Sequence, residues 1–195
     1  MTTLEVLPLG RNLSIVTAGS YRWEAEFAAR EARLWSVRSR KLFSERVGRG
    51  RLTPAQSDRS RQTRGRARFF ATATVVFAGM AVEGFLNQYA VIRFGRNASK
   101  PPFLGKPTID KARLLLQAVG ARDPGERSEL IRRMQRLARH RNDLVHPKTK
   151  EVERGDEHQL ITDATSIAEG CFEDMEFFFR DFERRDPQAR AWTHL

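Results

Sequence analysis

The chain has 195 residues, of which 40 % are hydrophobic and 30 % charged, with a formal net charge of +11. This length and balance suit one globular domain with a real core, and exclude a disordered or fibrous chain. The single cysteine, Cys171, excludes an internal disulfide framework and fits a reducing, cytoplasmic compartment.

Residues 1–20, with Pro8, Gly10 and Gly19, are expected to be irregular, and no basic stretch precedes an apolar run as in a secretory leader. From Tyr21 to about Val47, the residues Trp23, Phe27, Ala28, Leu34, Trp35, Leu42 and Phe43 recur at three- and four-residue steps, which predicts a helix. The Gly-, Ser- and Arg-rich stretch 48–66 reads as a basic loop. A helix apolar on nearly all sides follows, from about Ala67 to Phe94, and its composition suits the centre of a bundle. Its longest nearly uncharged run, Phe69 to Val82, is shorter than the ~20 residues needed to span a bilayer, so no membrane association is expected.

The prolines of 97–107 predict a loop, and Thr108 or Asp110 starts a short helix through Ala118 that Gly120 ends. A helix from Glu126 to about Val145 stops before Pro147. The last helix runs from about His158 to Arg184, with Ile161, Ala164, Ile167, Ala168, Cys171, Met175, Phe178, Phe179 and Phe182 as its apolar stripe. Residues 186–195 read as a tail. No strand-helix alternation or internal repeat is visible, so the predicted class is all-α, a four- to five-helix bundle over residues 21–185.

Charge is unevenly placed. Between Arg30 and Arg68 stand 13 Arg or Lys and 3 Asp or Glu, a local excess of +10 that leaves the rest of the chain near neutral. Arginine offers a planar, bidentate fork for phosphate, so Arg49, Arg51, Arg59, Arg61, Arg64 and Arg66 are candidate nucleic-acid contacts. A solvated linker carries the same composition.

Arg141 is out of place. Leu130, Ile131, Met134, Leu137, Ala138, Leu144 and Val145 make one helical stripe, and Arg141 falls near its middle. A guanidinium cannot shed its proton, so burial there requires an anion or a wet cleft. Asn142 and His146, four apart, share a face beside it. An arginine holds charge developing on a phosphoryl group, and a histidine moves protons near neutral pH. Cations at a helix C-terminus also simply complement its dipole, and the spacing alone does not separate the two roles. Glu83 interrupts the long apolar helix among Thr72, Val76, Gly79, Leu86 and Ala90, with Asn87 one turn on. A carboxylate there needs a counter-charge, and Arg141 is the natural one, for chemistry or for structure alone. His140, His146, His158 and His194 lack metal-ligand spacing and no phosphate-cradling glycine loop occurs, so neither metal nor cofactor is expected.

Taken together, Arg141-Asn142-Asp143-Leu144-Val145-His146-Pro147 and the upstream Ala81-Val-Glu83-Gly-Phe-Leu-Asn87 resemble the HEPN family of helical domains over roughly Trp23 to Phe182. The resemblance implies a bundle that homodimerises, with two Arg-His motifs facing each other across a cleft. It implies a metal-independent endoribonuclease acting as a toxin or defence effector, in which His146 and Arg141 are catalytic and Asn142 and Glu83 orient them. Other members only bind nucleotides, nucleic acid or partner proteins. The implied partners are RNA, a second copy, and an antitoxin or nucleotidyltransferase. One toxin subgroup carries a nucleotidylated tyrosine two residues after the histidine; this chain has Lys148 there, which speaks against that control.

Overall fold

In the computed structural model the described residues are 18–47, 53–95, 103, 105–120, 124–145 and 157–189. They form an all-α bundle of five helices with no strand: α1 (Ala18–Val47), α2 (Pro54–Phe94), α3 (Thr108–Ala118), α4 (Pro124–Val145) and α5 (Glu157–Arg185). All five lie close to the predicted spans, except that α2 begins thirteen residues earlier than Ala67, at Pro54; α1 also takes in Ala18, Gly19 and Ser20 from the stretch 1–20 expected to be irregular.

The expected loop at 48–66 is therefore helical from Pro54 onward. Its start is encoded in Thr53-Pro-Ala-Gln56. The Thr53 hydroxyl accepts from the Gln56 backbone N–H at 3.3 Å, and the Gln56 side chain accepts from the Thr53 N–H at 3.0 Å. Two orphan donors of the first turn are thus satisfied, while Pro54 at the first helical position supplies a preset φ. Gly65 lies mid-helix, at a cost of about 1 kcal/mol relative to alanine, and that does not break a helix so capped.

α2 is the axis of the bundle, about 60 Å long at 1.5 Å per residue. Phe85 is fully buried, with Phe178, Phe179 and Phe182 of α5 edge-on at 5.3–5.5 Å. One turn on, Tyr89 stacks on Phe85 at 5.3 Å and its hydroxyl donates to Asp186, which Arg93 also engages. Contacts that advance together along both chains make α2 and α5 parallel. The residues after Arg185 are not all free tail, since Asp186 joins this cluster and Ala189, in a 3-10 turn, is buried. Burial pushes the Tyr89 phenol up to about 12, reinforced by the Asp186 carboxylate.

α1 runs antiparallel to α2, with Tyr21 beside Phe77, Phe27 beside Phe70, and Arg66 over Trp35. Its buried positions are Ala18, Ala25, Ala28, Ala32, Ser36 and Ser39. Four of them, Ala18, Ala25, Ala32 and Ser39, fall at heptad spacing, opposite small residues of α2 such as Thr63, Ala67, Thr74 and Ala81. Two small-residue seams let the backbones pack closely. A Cβ built on Gly84 would lie 3.8 Å from the Ala18 Cα. The aromatic positions that mark α1 as a helix in the sequence therefore face outward: Trp23 is 62 % and Phe27 45 % exposed.

α4 lies antiparallel to α5, clasped at Asp174. That carboxylate is 1 % exposed and takes Arg133 at 3.2 Å and a two-pronged contact from Arg136. Beside it, burial pushes the Cys171 thiol up to about 12, with Asp174 adding to the effect. Cys171 is thus an inert core thiol. Ile167, placed on the α5 stripe by its spacing, is 38 % exposed instead. By length and composition, α2 contains one 18-residue window apolar enough to cross a membrane, longer than the run of Phe69 to Val82; 50 % of that window is buried in the bundle.

Candidate functional site

The C-terminal end of α4 crosses the middle of α2, and there the two out-of-place charges meet. The Arg141 Nη1–H donates to Glu83 Oε2 at 2.9 Å. The pair is not deeply buried, because the side chains are 34 % and 36 % exposed. α4 drives Leu130, Ile131, Met134 and Leu137 into the core, but its last turn leaves the packed layer, and Leu144 is 38 % exposed. Arg141 thus lies on an apolar stripe without lying in the core. Ion pairs this open to water contribute about 0–1 kcal/mol, so the pair positions the guanidinium more than it stabilises the fold.

What seats the arginine is a glycine. A Cβ on Gly79 would lie 2.7 Å from the Arg141 Cδ, so the stem of the side chain rests directly on the α2 backbone. A glycine inside a helix costs about 1 kcal/mol relative to alanine, and here that cost opens the seat for Arg141. Gly79 is visible in the sequence only as one small residue on the Glu83 face. Its mid-helix position, with no turn to make, was the available signal.

Of the other expected site residues, Asn142 is on α4 and exposed. Asn87 belongs elsewhere, accepting from Lys111 Nζ of α3 at 2.8 Å. His146, Arg49 and Arg51 lie outside the described residues, as do residues 1–17 and Lys148.

The remaining basic candidates sit on the first four turns of α2. Arg61 pairs loosely with Asp58 at 3.8 Å, and Arg64 is half-buried. Arg59 and Arg66 line a cleft of about 650 Å³ between α1 and α2, together with Arg38 and Lys41 of α1. Its wall is Trp35, whose indole N–H donates to Glu31 at 3.0 Å. The guanidinium carbons of Arg38 and Arg66 stand 4.6 and 4.5 Å from the indole centroid. Trp35, Arg38 and Lys41 were not candidates from sequence, because only helix pairing brings them opposite Arg59 and Arg66.

No family model, no curated protein and no solved structure matches the chain.

Proposed function

We propose that the protein is a metal-independent endoribonuclease of the HEPN type, a toxin or defence effector whose Arg141 and His146 act on RNA phosphate at a homodimer cleft. The observation that carries this is the seating of Arg141: a solvent-accessible guanidinium held by Glu83 over Gly79, five residues ahead of His146 in sequence. The arginines that clasp α4 to α5 instead converge on a buried carboxylate, Asp174, whereas both members of the Arg141–Glu83 pair stay open to water. In the reaction the ribose 2′-oxygen attacks the adjacent phosphorus and the bond to the 5′-oxygen breaks. A 2′,3′-cyclic phosphate forms and the leaving oxygen is protonated. His146 moves protons, Arg141 holds the charge on the crowded phosphorane, and Glu83 and Asn142 orient them.

The test is cleavage of labelled RNA in EDTA by the full chain. His146→Ala and Arg141→Ala are expected to lose activity by about 10²-fold or more while staying folded. Cleavage undiminished in His146→Ala sinks the proposal. A second reading, a non-catalytic nucleic-acid-binding module, is favoured by the cations gathered between α1 and α2. It is the reading left if wild-type protein binds RNA without cutting it.

A further inference from the structure

Many arginines elsewhere in this protein have carboxylates. Arg22 meets Glu176, Arg33 meets Glu169, Arg133 and Arg136 meet Asp174, and Arg185 meets Asp181. The cleft between α1 and α2 gathers cations without one. Arg38, Lys41, Arg59 and Arg66 converge on it, no carboxylate lines it, and none of the four makes an ion pair among the described residues. Gathered like charges repel, and a bound polyanion relieves them.

A second cleft of about 570 Å³ adjoins the first and shares Trp35, Gln62 and Arg66 with it. Its character is different. Phe69 and Phe70 form its wall, edge-to-face at 5.3 Å, and Gly65 leaves its floor open with nothing within 4 Å of where a Cβ would stand. Phe69 is 66 % exposed, so its ring is offered to solvent. The shared edge is Trp35, which the Arg38 and Arg66 guanidiniums and Glu31 hold in place. The result is a cationic trough that runs into an aromatic shelf.

From this juxtaposition we infer that the α1–α2 hairpin carries a binding site for single-stranded nucleic acid, phosphates on Arg38, Lys41, Arg59 and Arg66, and a base stacked on Phe69. Cationic grooves beside aromatic platforms suit single strands, because every base has a face to stack and the backbone supplies the charge. A duplex keeps its bases stacked on each other and has nothing to offer Phe69. The site is separate from Arg141: Arg66 and Gly79 are thirteen residues apart on α2, about 20 Å along its axis.

The test is fluorescence anisotropy of the full chain with a labelled decamer of 2′-O-methyl RNA, across a salt series. That strand has no 2′-hydroxyl to attack, so binding here and cleavage at Arg141 succeed or fail independently. Arg59→Gln with Arg66→Gln is expected to weaken binding about tenfold or more, and to flatten the log Kd against log salt slope by about 0.7 per arginine removed. Phe69→Ala is expected to weaken it roughly tenfold, and Arg132→Gln, on α4 away from the cleft, to leave it unchanged. Circular dichroism of each variant is expected to match wild type, since the substituted side chains are exposed. Wild-type affinity in both cleft variants overturns the site. A duplex bound as tightly as the strand, or a mononucleotide competing as well as the decamer, overturns the single-strand assignment.

Discussion

Gly79→Ala separates the positioning of Arg141 from the stability of the fold. The new methyl would lie 2.7 Å from the Arg141 Cδ, where carbon contacts optimise at about 3.5–4.0 Å, so the side chain must retreat by about 1 Å. The Arg141–Glu83 contact, now 2.9 Å, then stretches past hydrogen-bonding range. Two stability effects oppose each other. Alanine replaces glycine in the middle of α2 for a gain of about 1 kcal/mol, and a third-exposed ion pair is lost for about 0–1 kcal/mol. The net is within about 1 kcal/mol, or a few degrees in Tm for a chain of this length. On the proposed ribonuclease function, catalysis has no such compensation, since a group displaced by 1 Å from the reacting atoms can lose about 10²-fold. The expected outcome is a Tm within a few degrees of wild type with RNA cleavage down by about that factor, and a displaced guanidinium in a crystal structure of the variant. Wild-type cleavage by a folded Gly79→Ala protein refutes the seating. A fall in Tm of more than ten degrees refutes the balance of energies.

Asp174→Asn removes the charge that clasps α4 to α5; since Arg133 and Arg136 can reach water, the cost is expected at the low end for a broken buried pair, about 2–3 kcal/mol in urea unfolding, and a loss under 0.5 kcal/mol counts against the clasp. The raised Tyr89 and Cys171 groups both bind their protons more tightly folded than unfolded. Their stabilisation is thus full below about pH 9 and is lost as pH rises from there to about 12. For Tyr89, a shift from 10 to about 12 corresponds to about 2–3 kcal/mol, and Tyr89→Phe is expected to flatten the fall of Tm across pH 10–12. Cys171 is expected to resist thiol reagents at pH 8 until the protein unfolds; rapid labelling of the native chain would contradict its burial.

The local code is strong where a periodic apolar face meets a recognisable end. α3 is bounded at Thr108 and by Gly120 with φ 74°, and α5 is written in its phenylalanines, so both lie close to their predicted spans. The Arg141–Glu83 contact was also legible, because a charge on each of two apolar stripes leaves few other ways to satisfy both. The start of α2 was legible in principle at Thr53-Pro-Ala-Gln56, but the capping signature was outweighed by the surrounding Gly, Ser and Arg.

Three features depend on the tertiary structure. Hydrophobicity points to Trp23 and Phe27 as the inner face of α1, yet the alanines face α2, because two long helices gain more contact by close approach of small residues. Arg141 is a third exposed because α4 outruns the layer it packs in, a length relation between helices that no single helix records. The cleft joins Trp35 to Arg59 and Arg66, more than twenty positions away, and only the antiparallel register of α1 and α2 brings them together. The amino-acid sequence by itself determined which segments are helical and which charges need partners, since periodicity and charge are properties of one segment. Which faces meet, and how far each charge stands from water, depends on packing between segments, and that was decided by the bundle.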